Sequence, residues 1–284
     1  LYQAYDTGIL ARVTNLTISI GGICCSIHSE DSRFLDMLRA RYQSFESSGP
    51  ATYEISVQLV PFPALSPENV GDVPRIDIKR TSTGDGYLVR RKDNPFFATV
   101  NTLSRKVQVK LWDSEYCFDS FLRIFYSLTL VEEGGLLLHA SSTSEKGQAY
   151  VFFGPSSSGK TTIARLSQGR TVLTDELVII KPWDGGYIAY GTPFWGEFTA
   201  GRSNVLAELN SLYSLKKDQR NSILPLDKIR AVMELYRCVL FFGEDSQLLS
   251  QVLDNCCAVT DRVPIYELHF RRDPSFWEVL NGRA

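Results

Sequence analysis

The chain has no long apolar run: none of its segments approaches the roughly 18 residues of a membrane-spanning helix, and Leu1 to Leu10 lack the basic and then apolar layout of a signal peptide. It therefore reads as a soluble protein with no membrane partner, although residue 1 is Leu and the natural start can lie upstream. It also lacks an excess of either charge. With 30 Lys and Arg against 32 Asp and Glu, the net charge of −2 gives no electrostatic reason to expect nucleic acid as a partner, so any anion site must be local. Cysteine pairs with metal or redox spacing are absent too. The six cysteines occur as Cys24-Cys25, Cys256-Cys257 and the single Cys117 and Cys238, none of them in C-x-x-C. Buried reduced thiols in a cytoplasmic protein are the expectation. Histidine is scarce: His28, His139 and His269 are too dispersed for a metal motif.

At 284 residues the chain reaches the upper limit for one hydrophobic core, and 44% hydrophobic residues are enough to build two. The pattern predicts a β-rich domain over 1–113 and a second domain over 114–284. In the first, Leu16–Ile20, Tyr53–Leu59 and Lys106–Leu111 alternate or favour β-branched residues and read as strands. Phe34, Leu35, Leu38 and Tyr42 fall on one face of a helix over Ser32 to Tyr42. Four prolines make Pro61 to Pro74 a loop, and Gly84-Asp85-Gly86 marks a hairpin turn. Ser114 to Val131 reads as a long helix, with Phe118, Phe121, Leu122, Phe125, Leu128 and Val131 recurring every three or four residues and Gly134-Gly135 ending it. Strands follow at Leu136–Ser141, Ala149–Phe153 and, as one run, Thr171–Ile180, with a short helix ended by Gly169 before the last. So few helices among so many strands depart from a doubly wound parallel sheet.

Between Ala149–Phe153 and the helix-compatible stretch Thr162–Leu166 lies Gly154-Pro155-Ser156-Ser157-Ser158-Gly159-Lys160-Thr161, which fits G-x-x-x-x-G-K-[ST] at every fixed position. A strand that turns sharply into a helix makes successive backbone N–H groups converge on a phosphate, and glycines permit that turn. In such a loop Lys160 reaches the β- and γ-phosphates and Thr161 offers its hydroxyl to Mg²⁺, with Thr162 opening the helix beside them. The expected ligand is a nucleoside triphosphate with Mg²⁺.

Asp175-Glu176 follows Lys160 by fifteen residues inside an otherwise apolar strand, where two carboxylates are costly to bury without a metal, a proton or a partner. Neighbouring residues of a continuous strand point to opposite faces, so a shared ligand requires a bulge or a strand end at this point. His139, alone within Leu136 to Ala140, is either a satisfied core histidine or, from a neighbouring strand, the group that orients Asp175.

Taken together, L-L-L-H-A-S, G-P-S-S-S-G-K-T and L-T-D-E-L resemble the catalytic core of the HPr serine kinase/phosphorylase superfamily, which is similar in fold to ATP-dependent phosphoenolpyruvate carboxykinase. The likeness is greatest to the HPr-kinase-like proteins of peptide-modification gene clusters. Gly191-Thr-Pro-Phe-Trp-Gly196, a Leu-rich helix after it and Asn221-x-Ile-x-Pro225-Leu226 extend it over most of 115–280. The resemblance implies an α/β fold with an α+β tendency, a P-loop core on a mixed sheet preceded by a smaller β-rich domain. It implies that Asp175 accepts the proton of an attacking hydroxyl, that His139 hydrogen-bonds it, and that Thr161 and Glu176 take the Mg²⁺ positions. Two departures stand out: the family has a second Asp where this chain has Glu176, and its E-V-R-G-type signature is missing. Glu197-Phe-Thr-Ala-Gly-Arg202 occupies a comparable place, making Glu197 and Arg202 candidates for substrate contact. Without that signature there is no basis for expecting phosphorylase activity or HPr as the substrate.

Three functions accommodate these residues. The first is an ATP- and Mg²⁺-dependent kinase that phosphorylates a hydroxyl, most naturally a serine of a protein or peptide. The second is a nucleotide-binding sensor or scaffold with little turnover, and the third is a small-molecule kinase with an enclosed acceptor pocket. Lys216, Lys217 and Arg220 either approach an anionic acceptor or form a solvated helix end, and His269 reads as an ordinary strand residue. Relatives assemble into rings; no residue here decides for or against a homo-oligomer.

Overall fold

The computed structural model describes residues 15–61, 76–197 and 204–282. Most of the expected Pro61 to Pro74 loop and Arg202 lie outside the described residues. The chain folds as mixed α/β around two mixed sheets.

The first sheet takes seven strands: β1 (Asn15–Ile20), β2 (Ile23–Ser29), β3 (Tyr53–Leu59), β4 (Ile76–Arg80), β5 (Gly86–Arg91), β6 (Phe96–Asn101) and β7 (Lys106–Leu111), in the order β1-β2-β3-β7-β6-β5-β4. In β3 and β7 every second residue is buried, which turns Tyr53, Ile55, Val57, Val107, Val109 and Leu111 to one face. Helix α1 (Ser32–Tyr42) packs against the sheet through the four residues its periodicity predicts, and Asp31 caps it by accepting from the N–H groups of Arg33 and Phe34.

Helix α2 (Glu115–Glu132) is capped by Ser114. It is not amphipathic in the expected sense, because residues 117–122 and 124–131 are all buried. A helix covered on all sides belongs in a core. Phe118, Phe121 and Phe125 join the first sheet's core, which also takes in Leu137, Leu177 and Ile179 from the second sheet and Phe194 from the segment after Tyr190. The chain leaves α2 through Gly134 at φ 73°, with the N–H groups of Gly134 and Gly135 closing onto the carbonyls of Val131 and Leu130.

The second sheet is built from β8 (Leu136–Glu145), β9 (Gln148–Phe153), β10 (Thr171–Thr174), β11 (Leu177–Trp183), β12 (Gly186–Tyr190), β13 (Leu206–Lys217), β14 (Ser222–Pro225) and β15 (Ile265–Phe270). Its helices are α3 (Lys160–Leu166), α4 (Lys228–Tyr236), α5 (Ser246–Arg262) and α6 (Phe276–Asn281). Two of its elements differ from expectation. Thr171–Ile180 is two strands, β10 and β11, interrupted at Asp175-Glu176. The Leu-rich stretch after Gly196 is strand β13, not a helix, and Lys216 and Lys217 stand on it. Leucines at 206, 209, 212 and 215 imitate a helical repeat, but backbone pairing to β9 and β15 overrides it.

The pairings β8–β11–β12–β13–β9–β8 close into a ring. Leu136, Leu138, Ala140, Val151, Phe153, Val178 and Ile180 share a core with residues of α4 and α5. Strands β9, β13 and β15 run parallel, so their carboxyl ends lie at the same edge, where open α/β sheets bind ligands.

Candidate functional site

Strand β8 changes partners on both edges near His139. On one edge the segment at 238–240 pairs with Leu137 to His139, and β9 takes over from Ala140. On the other, β11 pairs as far as His139, the Ala140 N–H reaches the Glu176 carbonyl, and β10 takes over at Ser142. This double change opens the sheet beside the carboxyl end of β9. The interruption at Asp175-Glu176 supplies the strand end that lets both carboxylates approach one place.

The glycine-rich loop leaves β9 there. Gly154 has φ 152° and Gly159 φ 113°, conformations L side chains rarely adopt, and Ser157 has φ 63°. At Gly159 there is also no room, since a Cβ would stand 2.5 Å from Phe270 Cζ. Lys160 is buried, and its ammonium donates to the carbonyls of Gly154 at 3.0 Å and Pro155 at 3.1 Å. Desolvation lowers its pKa from the ordinary lysine value. The Ser158 hydroxyl is buried beneath the loop without a hydrogen-bond partner in the structure.

A cleft of about 420 Å³ is lined by His139, Ser156, Ser157, Gly159, Lys160, Thr161, Thr162, Asp175, Glu176, Gly196, Glu197 and Lys217. It thus gathers residues from β8, the loop, α3, the β10–β11 break, the segment after β12 and β13. Gly154 and Pro155 line an adjoining hollow of about 270 Å³ that shares His139 and Ser156 and reaches Ser214, Lys216, Arg237 and Cys238. A third hollow, about 210 Å³, continues past Thr162 and Lys217 to Phe270 and Arg272.

Asp175 is buried, and its Oδ1 accepts the Gly196 N–H at 2.9 Å. Glu176 lines the same cleft, and Arg123 of α2 holds both its oxygens, at 3.0 and 3.3 Å. His139 is exposed toward the cleft, and its pKa lies below 6.5, first because desolvation opposes its charge and then because Lys160 is near. Glu197 pairs with Arg165 at 2.9 Å on the surface. His269, read as an ordinary strand residue, joins Asp218 at 2.9 Å and Glu267 at 2.8 Å, and these hydrogen bonds raise its pKa.

Arg123 and Gly196 escape a reading of the sequence. The only signal for Arg123 is that it and Asp119 form an i, i+4 pair of opposite charge in an otherwise apolar helix. Gly196 acts through its backbone. Among the described residues no three His, Cys, Asp or Glu side chains are arranged to hold a metal. Hard oxygen donors suited to Mg²⁺ nevertheless line the cleft in the Thr161 hydroxyl and the Asp175 and Glu176 carboxylates.

A family model described as SynChlorMet cassette protein ScmC matches residues 117–282. Among solved structures, the chain is similar to the Hpr(Ser) kinase/phosphatase from Coxiella burnetii, with 14% identity and a TM-score of 0.30 over 52% of this chain and 95% of that one. No curated protein sequence matches.

Proposed function

Since the chain belongs to the ScmC family of SynChlorMet cassette proteins, whose model spans more than half of it, we propose for this member an ATP-dependent phosphotransferase that acts on a hydroxyl, with serine of a protein or peptide as the leading acceptor. One observation carries the reading: a lysine-bearing glycine-rich loop and a buried carboxylate fixed by a backbone N–H open into the same cleft. Phosphoryl transfer asks little more of a protein than positioning and charge stabilisation.

In this reading the loop N–H groups and Lys160 hold the phosphates, with Lys160 exchanging its two carbonyl partners for phosphate oxygens. The acceptor oxygen attacks the γ-phosphorus as the bond to the β–γ bridging oxygen breaks. Asp175 takes the acceptor's proton, and ADP leaves. The Gly196 N–H fixes one oxygen of Asp175 and so aims the carboxylate. His139, neutral at pH 7, lines the same space without adding charge. Mg²⁺, when bound, would offset the charge of the phosphate oxygens, and Thr161 and Glu176 are the residues that would hold it.

The test compares ATP binding and γ-phosphate consumption in the wild type, Lys160→Ala and Asp175→Asn, with and without serine-containing peptides. Lys160→Ala is expected to lose nucleotide affinity. Asp175→Asn is expected to keep that affinity while turnover falls about 10²- to 10⁴-fold. Unchanged turnover in Asp175→Asn overturns the catalytic assignment. A second reading, a nucleotide-binding module with little turnover, draws on the commitment of both Glu176 oxygens to Arg123. ATP binding without turnover under any condition selects it, and turnover with small hydroxyl compounds alone selects a small-molecule kinase.

A further inference from the structure

Behind the cleft a line of charged groups leads from the acidic pair to the first sheet's helix. Arg123 grips Glu176 with both terminal nitrogens, and its Nε donates to Asp119 at 3.2 Å. Its guanidinium lies 5.3 Å from the ring centroid of Phe194, two residues before the Gly196 that hydrogen-bonds Asp175. Asp119 is buried, and besides Arg123 it takes Arg41 at 3.0 Å and the Tyr42 hydroxyl at 3.1 Å, both from α1. Burial opposes the charge on Arg123, yet its bonds to Glu176 and the nearby Asp119 outweigh that and raise its pKa.

Arg123 is the cation that Glu176 and Asp119 share, and Arg41 divides its charge between Asp119 and, at 4.0 Å, Glu115. Without Arg123, two adjacent carboxylates would meet an incoming polyanion in a partly desolvated space, where like charges repel far more than in water. A lysine could supply the charge but not the planar fork that holds Glu176 while reaching Asp119.

We infer that Arg123 is a positioning residue whose guanidinium, anchored on Asp119, cancels the Glu176 charge so that the cleft accepts a polyphosphate, and that α1 holds this countercharge in place through Arg41 and Tyr42. The inference rests on the phosphotransferase reading only for the identity of the anion. It makes α1, which lies outside the family-matched residues 117–282, a contributor to the site.

The experiment measures affinity for inorganic tripolyphosphate and for metal-free ATP, together with thermal unfolding, in Arg123→Gln, Glu176→Gln, the double variant and Arg41→Gln. Arg123→Gln should weaken polyphosphate binding about tenfold or more, and adding Glu176→Gln should bring it back to within about threefold of the wild type. A merely structural arginine would show its loss and rescue in the melting temperature while the folded fraction bound the anion unchanged. Arg41→Gln, outside the cleft, should weaken binding about threefold. Unchanged binding in Arg123→Gln, or a double variant as weak as Arg123→Gln, overturns the inference, and unchanged binding in Arg41→Gln overturns the part given to α1. Should Arg123→Gln not fold, Arg123→Lys replaces it with an intermediate loss expected; wild-type affinity there overturns the need for the fork. If the wild type binds neither probe, Mg²⁺-ATP is tried in their place; no binding there overturns the phosphotransferase reading and the inference together, whereas binding that Arg123→Gln leaves unchanged overturns the inference alone.

Discussion

In the first sheet, β3 and β7 keep their alternation of buried and exposed residues from end to end. In the second, β10 and β11 stop at an acidic pair, β8 exchanges neighbours on both edges, and the buried hydroxyls of Ser141, Ser142, Thr143 and Ser158 have no hydrogen-bond partner in the structure. Positive φ sets the glycine-rich loop apart from the turns of both sheets. Of the four such non-glycine residues among those described, Arg105, Lys146 and Asp184 sit in turns between paired strands, while Ser157 sits in the glycine-rich loop. The first sheet spends its residues on agreement among pattern, pairing and burial. The second gives up some of that agreement where chemistry is expected.

That contrast can be broken from either side. The largest stability loss is expected from Phe96→Ala in the first sheet. Phe96 is buried 5.7 Å from the ring of Phe121, and its truncation should cost about 3–5 kcal/mol in urea unfolding while the folded fraction binds polyphosphate as before. Next is Gly159→Ala, which combines a φ of 113° with a Cβ 2.5 Å from Phe270 Cζ. It should cost about 2–4 kcal/mol and abolish nucleotide binding measured by calorimetry. Gly84→Ala is its counterpart in the first sheet: with φ 75° and nothing within 4 Å of the added carbon, it should cost about 1 kcal/mol and leave binding intact. If the two glycines behaved alike, the loop would lack the special demand assigned to it.

The smallest effect concerns pH. Because His139 titrates below 6.5 in the folded protein, the unfolded chain takes up its proton first, so stability is full above that pH and declines as pH falls below it. NMR titration should place its midpoint below 6.5, and His139→Asn should flatten the decline. A midpoint at or above the ordinary value would remove the neutral imidazole from the cleft.

How much of this was legible in the sequence follows the same division. Helix α1 and strands β3 and β7 could be read because their periodicity, propensity and burial agree, and the glycine-rich loop because its chemistry is confined to eight consecutive residues. The break at Asp175-Glu176 was hidden between two apolar runs that read as one strand. The resemblance implies a Leu-rich helix where β13 stands, and leucines at every third residue suit one; what makes it a strand is pairing to β9 and β15, far away in the chain. The Arg123–Glu176 pair spans 53 positions, and no local pattern announces such a bond.

The ring of strand pairings has a consequence for the order in which the molecule can be made. Strand β9 is finished at Phe153, but its parallel partner β13 extends to Lys217, so the ring stays open until some sixty further residues are available. Loop closures of that span are slow compared with hairpins. The strand pairings of the first sheet, all finished by Leu111, can form while the glycine-rich loop still hangs from an unclosed edge, so the candidate site takes shape after them.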